Sequence, residues 1–125
     1  MRKPPEFVEH VVEQLRAFGA VTIRPMFGGW GIYRDGVFFA LVAGDTLYFK
    51  SDDENRGEFE RESPGPFTFE KKGETIVTHY FAAPEDAFED REVMARWARL
   101  GYAAALRAAK RPRTRRKPPS RSRRS

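Results

Sequence analysis

The two histidines, His10 and His79, are the residues of this 125-residue chain best suited to acid–base or metal chemistry. A zinc site needs further ligands converging on the imidazole, and catalysis needs a nucleophile oriented beside it. The chain has no cysteine, and the spacing around the histidines shows neither pattern. We therefore interpret both imidazoles as packed or solvated side chains and expect no bound metal, no cofactor and no catalytic residue.

Carboxylates occur in the runs Asp52-Asp53-Glu54, Glu85-Asp86 and Glu89-Asp90. Calcium loops alternate such ligands with glycine in a fixed pattern, which these runs lack. Acidic residues are also favoured near helix amino termini by the helix dipole. These runs are therefore interpreted as helix starts.

The glycines of Gly28-Gly29-Trp30-Gly31 suggest a phosphate-binding loop at first sight. Such loops have other glycine spacings and open onto a helix whose amino terminus faces the anion. Here a strand pattern follows, so we interpret the glycines as a bend or bulge in a sheet.

Seventeen aromatic residues are present, many of them in strand patterns. Phe38 and Phe39 are adjacent and must face opposite sides of a strand. In RNA-recognition strands, by contrast, the aromatic residues that stack on bases lie on one face. Most rings are expected in the core, and the rest favour a protein-binding surface and a homodimer. A weaker hypothesis is an enzyme or small-ligand binder that uses a pocket beneath Trp30, Tyr33 and His79.

Charge divides the chain into two parts. Residues 1–109 hold 14 Lys and Arg against 18 Asp and Glu, a net charge of −4, whereas residues 110–125 hold nine cations and no acid. Such a segment is suited to bind DNA or RNA phosphates without sequence preference, and the alternative interpretation is a tail that keeps the protein soluble and binds nucleic acid only incidentally. The candidate nucleic-acid-binding residues are Lys110, Arg111, Arg113, Arg115, Arg116, Lys117, Arg121, Arg123 and Arg124.

Length and composition predict one domain over residues 1–109, followed by a disordered basic tail over 110–125. No apolar run approaches the roughly 18 residues that cross a bilayer. We therefore expect a cytoplasmic protein without membrane contact.

Hydrophobic periodicity predicts a helix that ends before Gly19 and a long helix from Glu89 to Lys110, with Val93, Trp97, Leu100, Ala104 and Ala108 buried. Between them, Asp35-Gly36 predicts a hairpin. Pro25 indicates that the strand containing it lies at a sheet edge or ends there. Val37–Val42 is apolar on both faces, which is typical of a central strand.

The predicted fold is an α+β domain. Its sheet is mainly antiparallel with five to six strands and flanking helices, in the order α-β(3)-α-β(2)-α.

The segments Met26–Tyr33, Asp35-Gly36, Phe39–Val42 and Leu47–Lys50 resemble the amino-terminal domain of the TfoX/Sxy family of bacterial competence regulators. Further matches are Asn55, Phe59, Pro66-Phe67, Tyr80, Pro84-Glu85 and Trp97, so the resemblance covers roughly residues 8–105.

The resemblance implies a secretion-chaperone-like fold and a non-enzymatic role in gene regulation linked to DNA transformation. It also implies a protein partner, with the transcriptional machinery as one candidate. Two-domain members continue into a second helical domain, where this sequence has basic residues. The alternative is a nucleic-acid-associated protein that binds through its tail.

Overall fold

The computed structural model describes residues 4–26 and 28–110. Its helices are α1 (Glu6–Gln14), α2 (Arg56–Glu62) and α3 (Arg91–Lys110). Its strands are β1 (Thr22–Met26), β2 (Gly29–Arg34), β3 (Val37–Ala43), β4 (Thr46–Lys50), β5 (Pro66–Lys71) and β6 (Glu74–Ala82). Short 3-10 helices cover Leu15–Ala17 and Glu85–Phe88.

The six strands form one antiparallel sheet in the order β1-β2-β3-β4-β6-β5. This confirms the predicted α+β class. The structure has four strands before α2 where the predicted order counted three. The sequence also indicated a strand at Pro25 that this order did not count; it is β1, which pairs with β2 along its whole length.

Local chemistry sets the register of the first strands. Asp35 and Gly36 both have positive φ, 50° and 80°, as a type I′ hairpin requires. Pro25 lies on the edge strand β1, where its missing N–H leaves no ladder partner unsatisfied. As predicted, β3 is central, between β2 and β4.

A β-bulge interrupts the pairing of β2 and β3. Ile32 pairs with Ala40 and Tyr33 pairs with Phe38, so Phe39 has no partner on β2. Phe39 is fully buried against Phe18 and Tyr102, whereas Phe38 contacts Tyr33 on the other side of the sheet. The prediction that the two adjacent rings face opposite sides is confirmed.

The helices cover one face of the sheet. The core between them includes Val11 of α1, Trp97 of α3, and Ile32 and Phe49 of the sheet. The buried side of α3 differs slightly from the predicted one. Its buried residues are Met94, Ala95, Trp97, Ala98, Gly101, Ala104 and Ala105.

Two features of α3 bear on the sequence predictions. Val93 and Leu100 are only partly buried and Ala108 is exposed, so the predicted buried stripe was wrong at these three positions. The helix begins after Asp90, whose Oδ1 accepts a hydrogen bond from the backbone N–H of Glu92 at 2.8 Å. Asp90 therefore acts at a helix start, as predicted.

Within residues 4–26 and 28–110, no helix has both the length and the apolar character needed to span a membrane.

Candidate functional site

The helices leave the other side of the sheet uncovered, and we call this side the open sheet face. Strand alternation and the register of pairing give its members in β1 to β4. They are Thr22, Arg24, Met26, Gly29, Gly31, Tyr33, Phe38, Leu41, Ala43, Thr46, Tyr48 and Lys50. Phe67 and Phe69 of β5 and Tyr80 of β6 continue this face, as their ring contacts with its members show.

Aromatic rings on this face contact one another in two groups. The Phe38 ring lies between those of Tyr33 and Tyr80, with centroid distances of 5.3 and 5.7 Å. Phe67 lies 5.0 Å from Tyr48 and 6.2 Å from Phe69. All four contacts are tilted, an arrangement that aromatic pairs prefer over direct face-to-face stacking.

Gly31 makes this packing possible. A Cβ atom at Gly31 would lie 3.1 Å from each of three atoms: Met26 Sδ, Tyr33 Cε1 and Phe38 Cε1. A side chain there would displace the rings, because real Cβ contacts are rarely so short. The absence of a side chain at this position therefore brings β1, β2 and β3 side chains together over the sheet.

A cavity of about 430 Å³ lies at one end of the open sheet face. Its lining residues are Met26, Gly29, Leu41, Val42, Ala43, Phe67 and Phe69. Met26 belongs to β1 and Phe67 to β5, which are the two edge strands. In a flat sheet these edges would be about 24 Å apart, since neighbouring strands are separated by about 4.8 Å. The sheet must therefore curl so that both edges contribute to one apolar cavity.

Beside the cavity, the face carries cations against aromatic rings. The Arg24 guanidinium lies 5.3 Å from the Tyr33 ring centroid, and the Lys50 ammonium lies 5.2 Å from that of Tyr80. Burial, together with a smaller contribution from the neighbouring Tyr33, raises the pKa of Tyr80 to about 12. The face thus combines an apolar cavity with a cationic aromatic region.

Residues 13–105 match the TfoX N-terminal domain. The chain belongs to this family. Over 95 residues it is 23% identical to Protein Sxy of Escherichia coli (strain K12), a match that covers 76% of this chain and 46% of that protein. The chain therefore spans about half the length of this relative.

Alternate residues of the family motif Met26–Tyr33 lie on the open sheet face. Met26 lines the cavity, Gly31 accommodates the rings, and Tyr33 belongs to the aromatic region. Phe27 of the same motif is outside the described residues. The glycines lead into β2, and so the strand interpretation of this segment is confirmed.

The histidines lie elsewhere. His10 is exposed on α1 and its ring stacks on Phe88 at 6.0 Å. His79 is exposed on β6, and its Nδ1 lies 3.0 Å from Arg56 Nη2. Neither imidazole has a hydrogen bond to a side-chain hydroxyl in the described part of the chain.

The hypothesis of a pocket beneath Trp30, Tyr33 and His79 was wrong. Trp30 is buried on the helical side of the sheet, and Tyr33 lies on the open face, because residues three apart in a strand point in opposite directions. His79 borders two surface cavities that include neither residue.

The carboxylates have structural partners. Asp52 pairs with Arg107, and its Oδ1 also accepts hydrogen bonds from the backbone N–H groups of Glu54 and Asn55. Glu85 and Asp86 lie in a 3-10 helix. Among residues 4–26 and 28–110, no cluster of three or more His, Asp or Glu could hold a metal ion.

Of the nine candidate nucleic-acid-binding residues, the structure describes only Lys110, the last residue of α3. The other eight lie outside the described residues, as does the rest of the predicted tail.

Sequence reasoning missed the pairing of Arg24 and Lys50 with rings, and the cavity around Met26. Strand alternation alone would have indicated the shared face. Within each strand, it puts Arg24 with Met26 and Tyr48 with Lys50 on one side of the sheet, the side that also carries Tyr33. That the edge strands β1 and β5 line the same cavity depends on the curl of the sheet, and strand alternation does not specify this curl.

Proposed function

We propose that this chain is a non-enzymatic regulatory domain that binds another protein through its open sheet face. The proposal rests on the apolar cavity of about 430 Å³ bounded by Met26, Leu41, Phe67 and Phe69. Exposed contiguous apolar surface on a small domain is typical of a protein interaction site. Membership of a family of competence-regulator-like proteins supports a regulatory role.

The exposed hydrophobic residues fit this use of the face. Met26 is 36% exposed and Phe69 is 44% exposed, although both have large apolar side chains. A partner side chain placed between them would stabilise the complex by about 25 cal/mol for each Å² of apolar surface removed from water.

Affinity capture with full-length variants tests this proposal. Met26→Thr combined with Phe69→Thr removes the two exposed apolar side chains that border the cavity, and threonine is compatible with the strands in which they lie. Val77→Thr is the matched control, because Val77 is 63% exposed on the same hairpin and its strand partner Thr68 faces away from the Phe69 side. We expect wild type and the control to capture the same protein and the double variant to lose it.

Capture of identical proteins by all three forms, at equal yield, would contradict the proposal. Capture of none by the wild type would contradict it as well. Circular dichroism must show that the double variant keeps its fold, which the exposure of both side chains leads us to expect.

We also propose self-association as a homodimer, which sedimentation velocity measures directly. A strict monomer at micromolar concentration excludes the dimer and leaves the binding of a different protein to be tested by capture. The two proposals are therefore separable.

Nucleic-acid binding through the basic segment is the second candidate function. It is favoured by the nine cations and no acid of residues 110–125, beside a body of net charge −4. We expect a gel shift with DNA whose salt slope is at most about −8, from roughly −0.9 per phosphate contact. A full-length variant with these nine residues changed to Gln should lose the shift. Equal binding by both forms rejects this function.

A further inference from the structure

Arg24 and Lys50 are the charged residues that β1 to β4 place on the open sheet face. In the described part of the chain, neither forms an ion pair, whereas Arg16, Arg91, Arg96 and Arg107 all do. Acids outnumber bases in residues 1–109, yet these strands place no carboxylate on the face. Strands β1 to β4 therefore give the face positive charge without an ion pair, and the side chains that β5 and β6 add at their far end, Lys71 and Glu74, cancel each other.

The positions of these cations relative to the cavity define a pattern. Arg24 and Lys50 lie on strands separated by three strand spacings, or about 14 Å across a flat sheet. Arg24 lies two residues from Met26 of the cavity, about 7 Å along β1 at 3.4 Å per residue. Lys50 lies four residues from Thr46, the strand partner of Ala43 in the cavity lining, which is about 14 Å along β4. A ligand that covers the whole face needs an apolar group at the cavity and negative charge beside it, toward Arg24 and Lys50.

The ring arrangement disfavours single-stranded nucleic acid as the occupant. Base stacking requires free ring faces. Here Arg24 lies over the face of Tyr33, Lys50 lies over that of Tyr80, and the other rings tilt against each other. The apolar cavity lined by Met26 and Phe69 also suits an apolar side chain better than it suits a nucleotide.

The charges disfavour a second copy of this chain. A two-fold symmetric dimer joins the same surface of both copies. Face-to-face packing would bring two unpaired Arg24 and two unpaired Lys50 side chains into one interface, and like charges in an interface are unfavourable.

We propose that the open sheet face binds an acidic amphipathic segment of the partner protein. A bulky apolar side chain of that segment enters the cavity beside Met26 and Phe69. Carboxylates about two and four positions away contact Arg24 and Lys50, since about 7 and 14 Å correspond to about two and four extended residues. This inference rests on the proposed function and specifies the partner's chemistry.

Selection from a random peptide library displayed on phage tests it with the full-length protein at physiological salt. We expect the selected peptides to combine Leu, Phe or Trp with several Asp or Glu residues. Because the basic segment 110–125 is present in every form of the protein, differences between variants arise from the face.

Two double variants separate charge from cavity. Arg24→Glu with Lys50→Glu should weaken binding of the selected peptides at least about tenfold and shift the selected composition away from acidic residues. Arg61→Glu with Arg99→Glu makes the same charge change at exposed positions on α2 and α3 and should leave binding unchanged. Met26→Thr with Phe69→Thr should abolish it.

Each outcome has one meaning. Peptides that need the cavity but ignore both cations overturn the acidic segment while the proposed function stands. Peptides that ignore the cavity contradict both. Selection of cationic peptides, failure to select any peptide, binding of an oligothymidine that the Arg24/Lys50 variant loses, or a wild-type dimer that this variant converts to monomer would overturn the inference.

Discussion

Arg107 near the end of α3 donates two hydrogen bonds to Asp52 in the loop after β4, from Nε to Oδ2 at 2.6 Å and from Nη2 to Oδ1 at 2.9 Å. Hydrogen bonding to Arg107 holds the pKa of Asp52 below its usual value of 3.8. Side-chain exposures of 34% for Arg107 and 16% for Asp52 leave the pair partly screened by water. It joins the carboxyl-terminal helix to the loop that leads into α2.

Asp52→Asn should destabilise the protein by about 1 kcal/mol and change its response to acid. A carboxylate whose pKa is lower in the folded than in the unfolded chain stabilises the fold above its unfolded pKa. That contribution disappears as pH falls through the folded pKa. Urea unfolding from neutral pH downward should therefore show a steeper acid loss in wild type than in the variant.

Asp53→Asn is the matched control for this measurement, because Asp53 is adjacent and exposed. It should leave both the stability and its acid dependence close to wild type. Identical acid profiles for wild type and Asp52→Asn would contradict the role given to the Arg107 pair.

Asn55→Ala should destabilise the protein by about 2 kcal/mol or more. Asn55 is 4% exposed, and its Nδ2 donates to the backbone carbonyl of Leu100 at 2.8 Å while its Oδ1 accepts from the backbone N–H of Asp52 at 2.9 Å. Alanine leaves both buried backbone groups without these partners. Asn55→Asp keeps the acceptor but loses the donor, so its thermal unfolding should still show a loss.

The same substitution should have opposite effects at two helical glycines. Gly101 faces the sheet, where a Cβ atom would lie 3.1 Å from Phe49 Cβ and 3.4 Å from the Phe39 carbonyl oxygen. Gly101→Ala should therefore lower stability by forcing α3 away from the sheet. Gly57 is exposed on α2 and a Cβ there meets only the Arg61 side chain at 3.6 Å.

Gly57→Ala should thus raise stability by about 0.5 kcal/mol, because alanine favours helix. Chemical denaturation of both variants gives the comparison. A gain at Gly101 as large as that at Gly57 would show that α3 packs less closely than described.

Tyr80 should ionise well above the usual range of a tyrosine, since its pKa is raised to about 12. A phenol whose pKa is higher in the folded state contributes stability that is complete below its unfolded pKa near 10 and is lost as pH rises toward 12. Tyrosinate absorbance during alkaline titration measures this. Tyr80→Phe should remove the component that ionises near pH 12, and a late component of unchanged size in this variant would contradict the prediction.

Much of the fold was predictable because it depends on local chemistry. Asp35-Gly36 specifies a hairpin through its positive φ angles, and Pro25 restricts β1 to an edge. The helix start at Asp90 follows from its carboxylate. These signals act over a few residues and need no knowledge of the tertiary structure.

The site was less predictable because it depends on contacts between distant segments. The Phe39 bulge places Phe39 and Ala40 together in the core, which simple alternation does not allow. Val93 and Ala108 satisfied the helical period, but the buried side of α3 is set by where Gly101 meets the sheet. Likewise, only the curl of the sheet brings Phe67 toward Met26.

The β5–β6 hairpin extends past the main sheet, for β6 pairs with β4 only from Tyr80 to Ala82 while it pairs with β5 from Glu74 onward. Phe69 belongs to this projecting part, so one wall of the cavity is anchored by fewer backbone bonds than the other. Such sparsely held segments shift at low free-energy cost. On the proposed binding of a partner at this face, the width of the cavity would follow the size of the bound side chain, and we expect one domain to accept partner sequences with apolar side chains of different size.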